Sequence, residues 1–113
     1  MRLQGDGILL RIYINETDRY KGEPLAQAIV EALRKSGIAG ATVIHGAMGY
    51  GAHSLIQTLH LLDISKDRPV IIETIDTTDK IDQIIPKLDE MIKEGLVITQ
   101  RVYVRKYLSR SAE

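Results

Sequence analysis

Three groups of residues carry the chain's potential for chemistry: the histidines His45, His53 and His60, the run Gly46-Ala47-Met48-Gly49-Tyr50-Gly51, and the cations Arg101, Arg105 and Lys106. The histidines invite a metal site, because neutral imidazole is a common ligand. Their spacings of eight and seven do not stack two ligands on one helical turn, so His45 is better regarded as a ligand-contact residue at the base of a loop. The glycines let backbone N–H groups approach an anion closely and form a nest for it. Their spacing is neither G-x-G-x-x-G nor a loop ending in G-K-[ST], and a hinge is the competing reading. Tyr50, between two glycines, either stacks on a base or plugs a neighbouring subunit. Arg101, Arg105 and Lys106 either hold phosphate oxygens, for which arginine presents a planar fork, or make salt bridges on a strand. The polar loop Asn15–Gly22 precedes a helix N-terminus, where anions are favoured. It is read either as part of a binding cleft with Lys21 or as a capping loop.

Composition removes several function classes. There are no cysteines, which excludes disulfides, zinc-thiolate sites and thiol catalysis. Ser36, Ser54 and Ser65 lack a G-x-S-x-G context, and no carboxylate pair stands out from ordinary helix surface charge. Fifteen basic residues balance fifteen acidic ones, so no global field draws nucleic acid or membrane. Phe and Trp are absent, leaving no stacking aromatics on central strands for RNA. The expectation is a non-enzymatic cytoplasmic protein with no signal peptide and no membrane span. The abundance of Ile, Lys and Glu points to a heat-adapted source.

The elements that must position these residues follow from periodicity. With 113 residues the chain has room for one domain spanning residues 1–113. Ile8–Ile14 alternates as a strand. Pro24 opens a helix whose apolar positions are Leu25, Ala28, Ile29, Ala32 and Leu33, and Gly37 stops it. Ala41–Met48 reads as a second strand, whereas residues 52–64 fit a strand and a short helix equally. Val70–Ile75 lacks polar alternation, as a central strand covered on both faces would. A second helix starts at Asp79 with Ile81, Ile84, Ile85, Leu88 and Ile92 facing inward. Pro86 predicts a kink or two abutting segments, and Gly95 closes it. Leu96–Lys106 is the last strand. The order is that of an α+β, ferredoxin-like βαββαβ sandwich: an antiparallel sheet with two helices on one face.

Such a sheet leaves its other face bare in a single chain. Leu96, Ile98, Val102 and Val104 are expected toward the helices, and Val97, Thr99, Arg101, Tyr103 and Arg105 on the open face with Leu9, Arg11 and Tyr13. That mixture of apolar, Tyr and Arg side chains fits a subunit interface.

The segments Asp18-Arg19-Tyr20-Lys21-Gly22 with Pro24-Leu25, then Gly40-Ala41-Thr42-Val43, then Gly46-x-x-Gly49-Tyr50-Gly51, and finally Pro86-x-Leu88-Asp89-x-Met91-x-x-Glu94-Gly95-Leu96-Val97, resemble the family called domain of unknown function 190. That family is related in fold to the PII signal-transduction proteins. The resemblance implies a PII-like homotrimer whose sheets face a central axis and whose intersubunit clefts bind adenine nucleotides. It also implies that the loop from Gly46 to about Asp67 contacts a regulated protein or membrane transporter. PII proteins carry a glycine-rich, lysine-containing phosphate loop after the second helix, where this chain has only Lys93-Glu94-Gly95-Leu96. The departure favours a nucleotide with fewer phosphates, such as AMP. The PII arginines near the chain end correspond to Arg101, Arg105 and Lys106. The implied contact set is Lys21, His45, Gly46, Gly49, Tyr50, Gly51, Arg101, Arg105 and Lys106. Acylphosphatases share the topology, but Asn15-Glu16-Thr17 does not supply their anion loop. The competing reading is a small metal-binding protein or hydrolase using His45, His53 and His60.

Overall fold

The structure, a computed structural model, describes residues 2–51 and 68–108. β1 (Arg2–Asn15) leads through a small hairpin, β2 (Arg19–Tyr20) and β3 (Glu23–Pro24), into α1 (Leu25–Lys35). Then follow β4 (Thr42–His45), β5 (Pro69–Asp76), α2 (Thr78–Met91) and β6 (Leu96–Leu108). The main sheet is ordered β4-β5-β1-β6 and every pairing in it is antiparallel. With the two helices this is the ferredoxin-like βαββαβ arrangement, with the β2–β3 hairpin added before α1.

Alternation along β1 sends Leu10, Ile12 and Ile14 into the core. On β5 Val70 and Ile72 do the same. α1 meets them with Leu25, Ala28, Ile29 and Leu33, and α2 with Ile81, Ile84, Leu88 and Met91. Each set is a stripe at helical spacing, so burial of one face selects helix over any other local structure. Arg34 and Lys35 lie in the last turn of α1, where cations complement the helix dipole. Gly37 then takes φ 78°, the left-handed stop expected there. Pro24 stands at the N-cap of α1, one position before the helical turn predicted for it. The side chain of Thr77 caps α2 by accepting from the Lys80 N–H at 3.3 Å. α2 is one helix through Pro86 rather than two segments.

Antiparallel partners share a face, so register decides which way β6 points. Leu96, Ile98, Val102 and Val104 pair with Tyr13, Arg11, Gly7 and Gly5, and therefore lie on the open face. Val97, Thr99, Arg101 and Tyr103 pair with Ile12, Leu10, Ile8 and Asp6 and lie on the helix side, the reverse of the expectation from sequence. The more apolar side of β6 is the open one, so pattern alone points the wrong way and only pairing supplies the answer. The open face expected from sequence is otherwise present, with Leu9, Arg11 and Tyr13 on it. Ile71, Glu73 and Ile75 of β5 share that side, and Ile75 is 38% exposed. β5 is central as predicted but covered on one face in the single chain. Arg11 and Glu73 pair across this face, Nε to Oε2 2.7 Å. The carboxylate bond holds the guanidinium pKa above its ordinary value, against a smaller opposing effect of burial.

Two buried polar groups fasten the α1–β4 connection to the end of β5. Asp76 accepts from the Ala39 N–H at 2.8 Å and from the Thr77 N–H at 2.7 Å. The Thr74 hydroxyl donates to the Gly40 carbonyl. Beyond β5, β1 and β6 continue as a two-stranded ribbon with a bulge between the Leu3↔Tyr107 and Gly5↔Val104 pairs. The Tyr107 hydroxyl donates to the Ala39 carbonyl at 2.9 Å and ties that ribbon to the same connection.

At the opposite end of the sheet two glycines set how closely loops cross. A Cβ on Gly95 would stand 2.6 Å from the Tyr13 carbonyl oxygen, and the residue holds φ 154°. One on Gly46 would stand 2.6 Å from Pro69 Cγ, while the Gly46 N–H donates to the Pro69 carbonyl at 2.7 Å. This contact turns the chain away after His45, so β4 ends there and not at Met48 as the sequence reading has it.

Ile12→Ala removes a fully buried side chain and is expected to cost about 2–5 kcal/mol, read as a lower urea midpoint at unchanged slope. Gly95→Ala drives a methyl into backbone and is expected to cost about 1–3 kcal/mol in the same assay. An unchanged midpoint for Gly95→Ala would mean that the turn is free to move away from Tyr13.

Candidate site at the open end of the sheet

The loops joining β1 to the hairpin, β4 to β5 and α2 to β6 all leave the same end of the sheet. On the open-face side they enclose a cleft of about 830 Å³. Tyr13 and Ile71 reach it from the sheet's open face, and Asn15 from the end of β1. Gly46, Met48, Gly49, Tyr50 and Gly51 supply one wall, and Lys93 to Leu96 the other. Segments more than 40 residues apart in sequence thus meet because β5, β1 and β6 are adjacent strands.

Local bonds fix the edges of the cleft. Asp18 accepts from the Asn15 N–H at 2.9 Å through its side chain and from the Leu25 N–H at 2.9 Å through its carbonyl. This is a side-chain-closed turn that leads into α1 and holds Asn15 at the rim. The Glu16 N–H donates to the Arg68 carbonyl at 2.8 Å. The end of β1 therefore grips the start of β5, next to the Gly46–Pro69 contact. Among the described residues, the charged groups lining the cleft are Lys93 and Glu94, one of each sign.

Of the residues predicted from sequence, Gly46, Gly49, Tyr50 and Gly51 line this cleft together. The others stand elsewhere. His45 pairs with Val70 and so faces the helix side, where its Nδ1 lies 3.6 Å from Glu16 Oε2. His53 and His60 lie outside the described residues, as do residues 52–64, whose strand and helix readings both stand. Lys21 sits over the Tyr20 ring, its ammonium 5.3 Å from the centroid, with Lys87 at 5.7 Å. The Tyr20 hydroxyl donates to Glu90 at 2.7 Å. That bond, with the nearby Lys87 ammonium, holds the Glu90 carboxyl below the usual carboxylate range, and Glu90 in turn raises Lys87. This cluster fastens the hairpin to α2. Of the polar loop Asn15–Gly22, only Asn15 lines the cleft.

Arg101 is five residues on from Leu96, about 17 Å along the strand, and on the helix side. Arg105 stands in the bulged part of β6, opposite neither cleft wall. Lys106 lines a second hollow of about 410 Å³ on the open face, walled by Leu3, Leu9, Ile75, Val104 and Tyr107. Asn15 and Met48 belong to the polar loop and the glycine run that the sequence marks, and Lys93 to the segment Lys93-Glu94-Gly95-Leu96; Tyr13 comes to the cleft through topology alone.

The family model for domain of unknown function 190 (DUF190), described as uncharacterized ACR, matches residues 7–104. A UPF0166 protein of Methanocaldococcus jannaschii is 38% identical over 99 residues, covering 87% of this chain and 91% of the relative. A UPF0166 protein of Aquifex aeolicus is 31% identical over 96 residues, covering 85% and 90%. The match takes in both walls of the cleft and every strand of the sheet, and the chain belongs to the DUF190 (UPF0166) family.

Proposed function

We propose that this protein is a PII-like homotrimeric regulator that binds a small adenine nucleotide, with AMP favoured, in clefts completed by neighbouring copies. The observation that carries this reading is the cleft itself. A glycine-rich arm and a lysine-bearing turn face one another across about 830 Å³ on the side of the sheet that the helices leave uncovered. That volume falls within the range of small-molecule sites. Beyond Gly46, whose N–H is taken by Pro69, the backbone N–H groups of 47–51 and the Lys93 ammonium are the donors a phosphate needs.

Charge argues for few phosphates. Among the described residues the cleft offers one lysine against one carboxylate, and the second hollow offers Lys106 against Glu73, which is already paired with Arg11. A triphosphate would bring about four negative charges to a lining that is neutral overall, with desolvation left uncompensated. A single phosphate matches one or two lysines. The open face supports assembly: Leu9, Tyr13, Ile71, Ile75, Leu96, Ile98, Val102 and Val104 share it, with the Arg11–Glu73 pair among them. A surface with that composition gains most when another protein surface covers it. In a ring of three, the hollow holding Lys106 forms the wall that a neighbour contributes to the cleft. Nucleotide at Gly46–Gly51 then sits at the root of the connection to β5, the segment placed to contact a regulated protein or membrane transporter.

Mass in solution tests the assembly. Three copies are expected for the wild type, and one copy, with unchanged helix and strand content, for Ile75→Glu and Val102→Glu. A stable wild-type monomer at micromolar concentration would overturn the reading. Calorimetric titration tests the ligand. AMP is expected to bind more tightly than ATP, and Lys93→Ala to weaken AMP by about 1.5–3 kcal/mol. Lys106→Ala should weaken it too, and Arg101→Ala, on the helix side, should leave it unchanged. Equal affinity of wild type and Lys93→Ala would remove the α2–β6 turn from the site.

A further inference from the structure

The chain has only five aromatic residues, all tyrosines, and two of them, Tyr13 and Tyr50, line the same cleft. They come from different parts of the fold. Tyr13 stands on the open face of β1, half-buried, with Leu96 as its cross-strand partner. Tyr50 stands on the arm after β4 and is 71% exposed; Met48, on the same arm, is 69% exposed. Leaving a large aromatic and a methionine in water at the mouth of a cleft forgoes the burial that such side chains usually obtain. A ligand that covers them recovers it.

The backbone around Tyr50 points the same way. Glycine at 46 and 49 is explained by Pro69, which a Cβ at either position would crowd at 2.6 and 3.2 Å. Gly51 has no such explanation, because a Cβ there would meet nothing within 4 Å among the described residues and the residue is not in a left-handed conformation. Among the described residues, the space beside Gly51, next to Tyr50, is open.

We infer that Tyr50 is the residue that selects for a nucleobase: it stacks on the base of a mononucleotide whose other side faces Tyr13, while the phosphate takes the glycine N–H groups and Lys93. This rests on the mononucleotide reading above and deepens it. Any base presents a π-face, so stacking favours a base over none more than one base over another.

The test is calorimetric titration of the assembled protein with AMP and with ribose 5-phosphate, which carries the phosphate but no base. Removal of a stacking aromatic is expected to weaken AMP about 5- to 150-fold in Tyr50→Ala. Ribose 5-phosphate affinity should stay unchanged and Tyr50→Phe should stay near wild type for both. Because the chain has no tryptophan, tyrosine emission is readable directly. AMP should quench it in the wild type, and quench it less in Tyr50→Phe although binding persists. Wild-type binding of AMP with undiminished affinity in Tyr50→Ala would overturn the inference and leave the nucleotide reading standing. A parallel loss of ribose 5-phosphate would overturn it as well, since Tyr50 would then be supporting the arm. If the wild type binds neither AMP nor another nucleoside monophosphate, both readings fall together.

Discussion

Strand β1 pairs with β5 on one side and β6 on the other, and almost everything else depends on that double pairing. It fixes register on both sides: Ile8–Asn15 against Pro69–Asp76, and Arg2–Tyr13 against Leu96–Leu108. A slip of one residue would exchange the faces of a whole strand, turning Leu10 and Ile12 outward and Arg11 and Tyr13 inward. The cost of burying Arg11 away from Glu73 alone would be prohibitive. Side-chain alternation in β1 therefore locks the sheet, and the sheet brings the loops after β1, after β4 and before β6 to a single end.

How far the sequence discloses this fold can be judged from particular strands. β1 and the two helices are legible because their apolar residues recur with one period only, so burial has one solution. β6 is legible as a strand and illegible as to face. Leu96, Ile98, Val102 and Val104 alternate with Val97, Thr99, Arg101 and Tyr103, and the more apolar set, which pattern would turn inward, lies on the open face. Register against β1 decides, and register is a long-range property. The same holds for Arg2–Gly7, whose residues Arg-Leu-Gln-Gly-Asp-Gly carry no strand pattern and pair only because β6 runs past the end of β5. β4 fails in the other direction. Its sequence reads as strand to Met48, but the Gly46–Pro69 bond ends the ladder at His45.

The candidate site divides in the same way. Glycine spacing marks one wall of the cleft in advance, and close approach to Pro69 accounts for two of its three glycines, Gly46 and Gly49. Tyr13 and Lys93 have no such mark: a tyrosine in a strand and a lysine after a helix are ordinary, and only strand adjacency makes them face the glycine arm. Conversely, the cations nearest the chain end have the right chemistry for phosphate and the wrong position for this cleft. Arg101 is turned to the helix side by the register that puts Ile98 and Val102 on the open face.

Covalent connection also shapes what a bound ligand could communicate. The Gly46–Gly51 arm leaves β4 at a point held from two directions, by the Gly46 N–H on Pro69 and by Glu16 on Arg68 and His45. The arm is thereby joined to the ends of β1 and β5, the two central strands. The other wall, Lys93–Gly95, hangs from the end of α2, and α2 is fastened to the hairpin by Tyr20 and Glu90. The wall opposite the arm is thus tied to a helix at one end and close against the Tyr13 carbonyl at the other. One wall, with a lysine, hangs from a helix; the other, with an aromatic, joins the sheet through glycines, and the same core positions both.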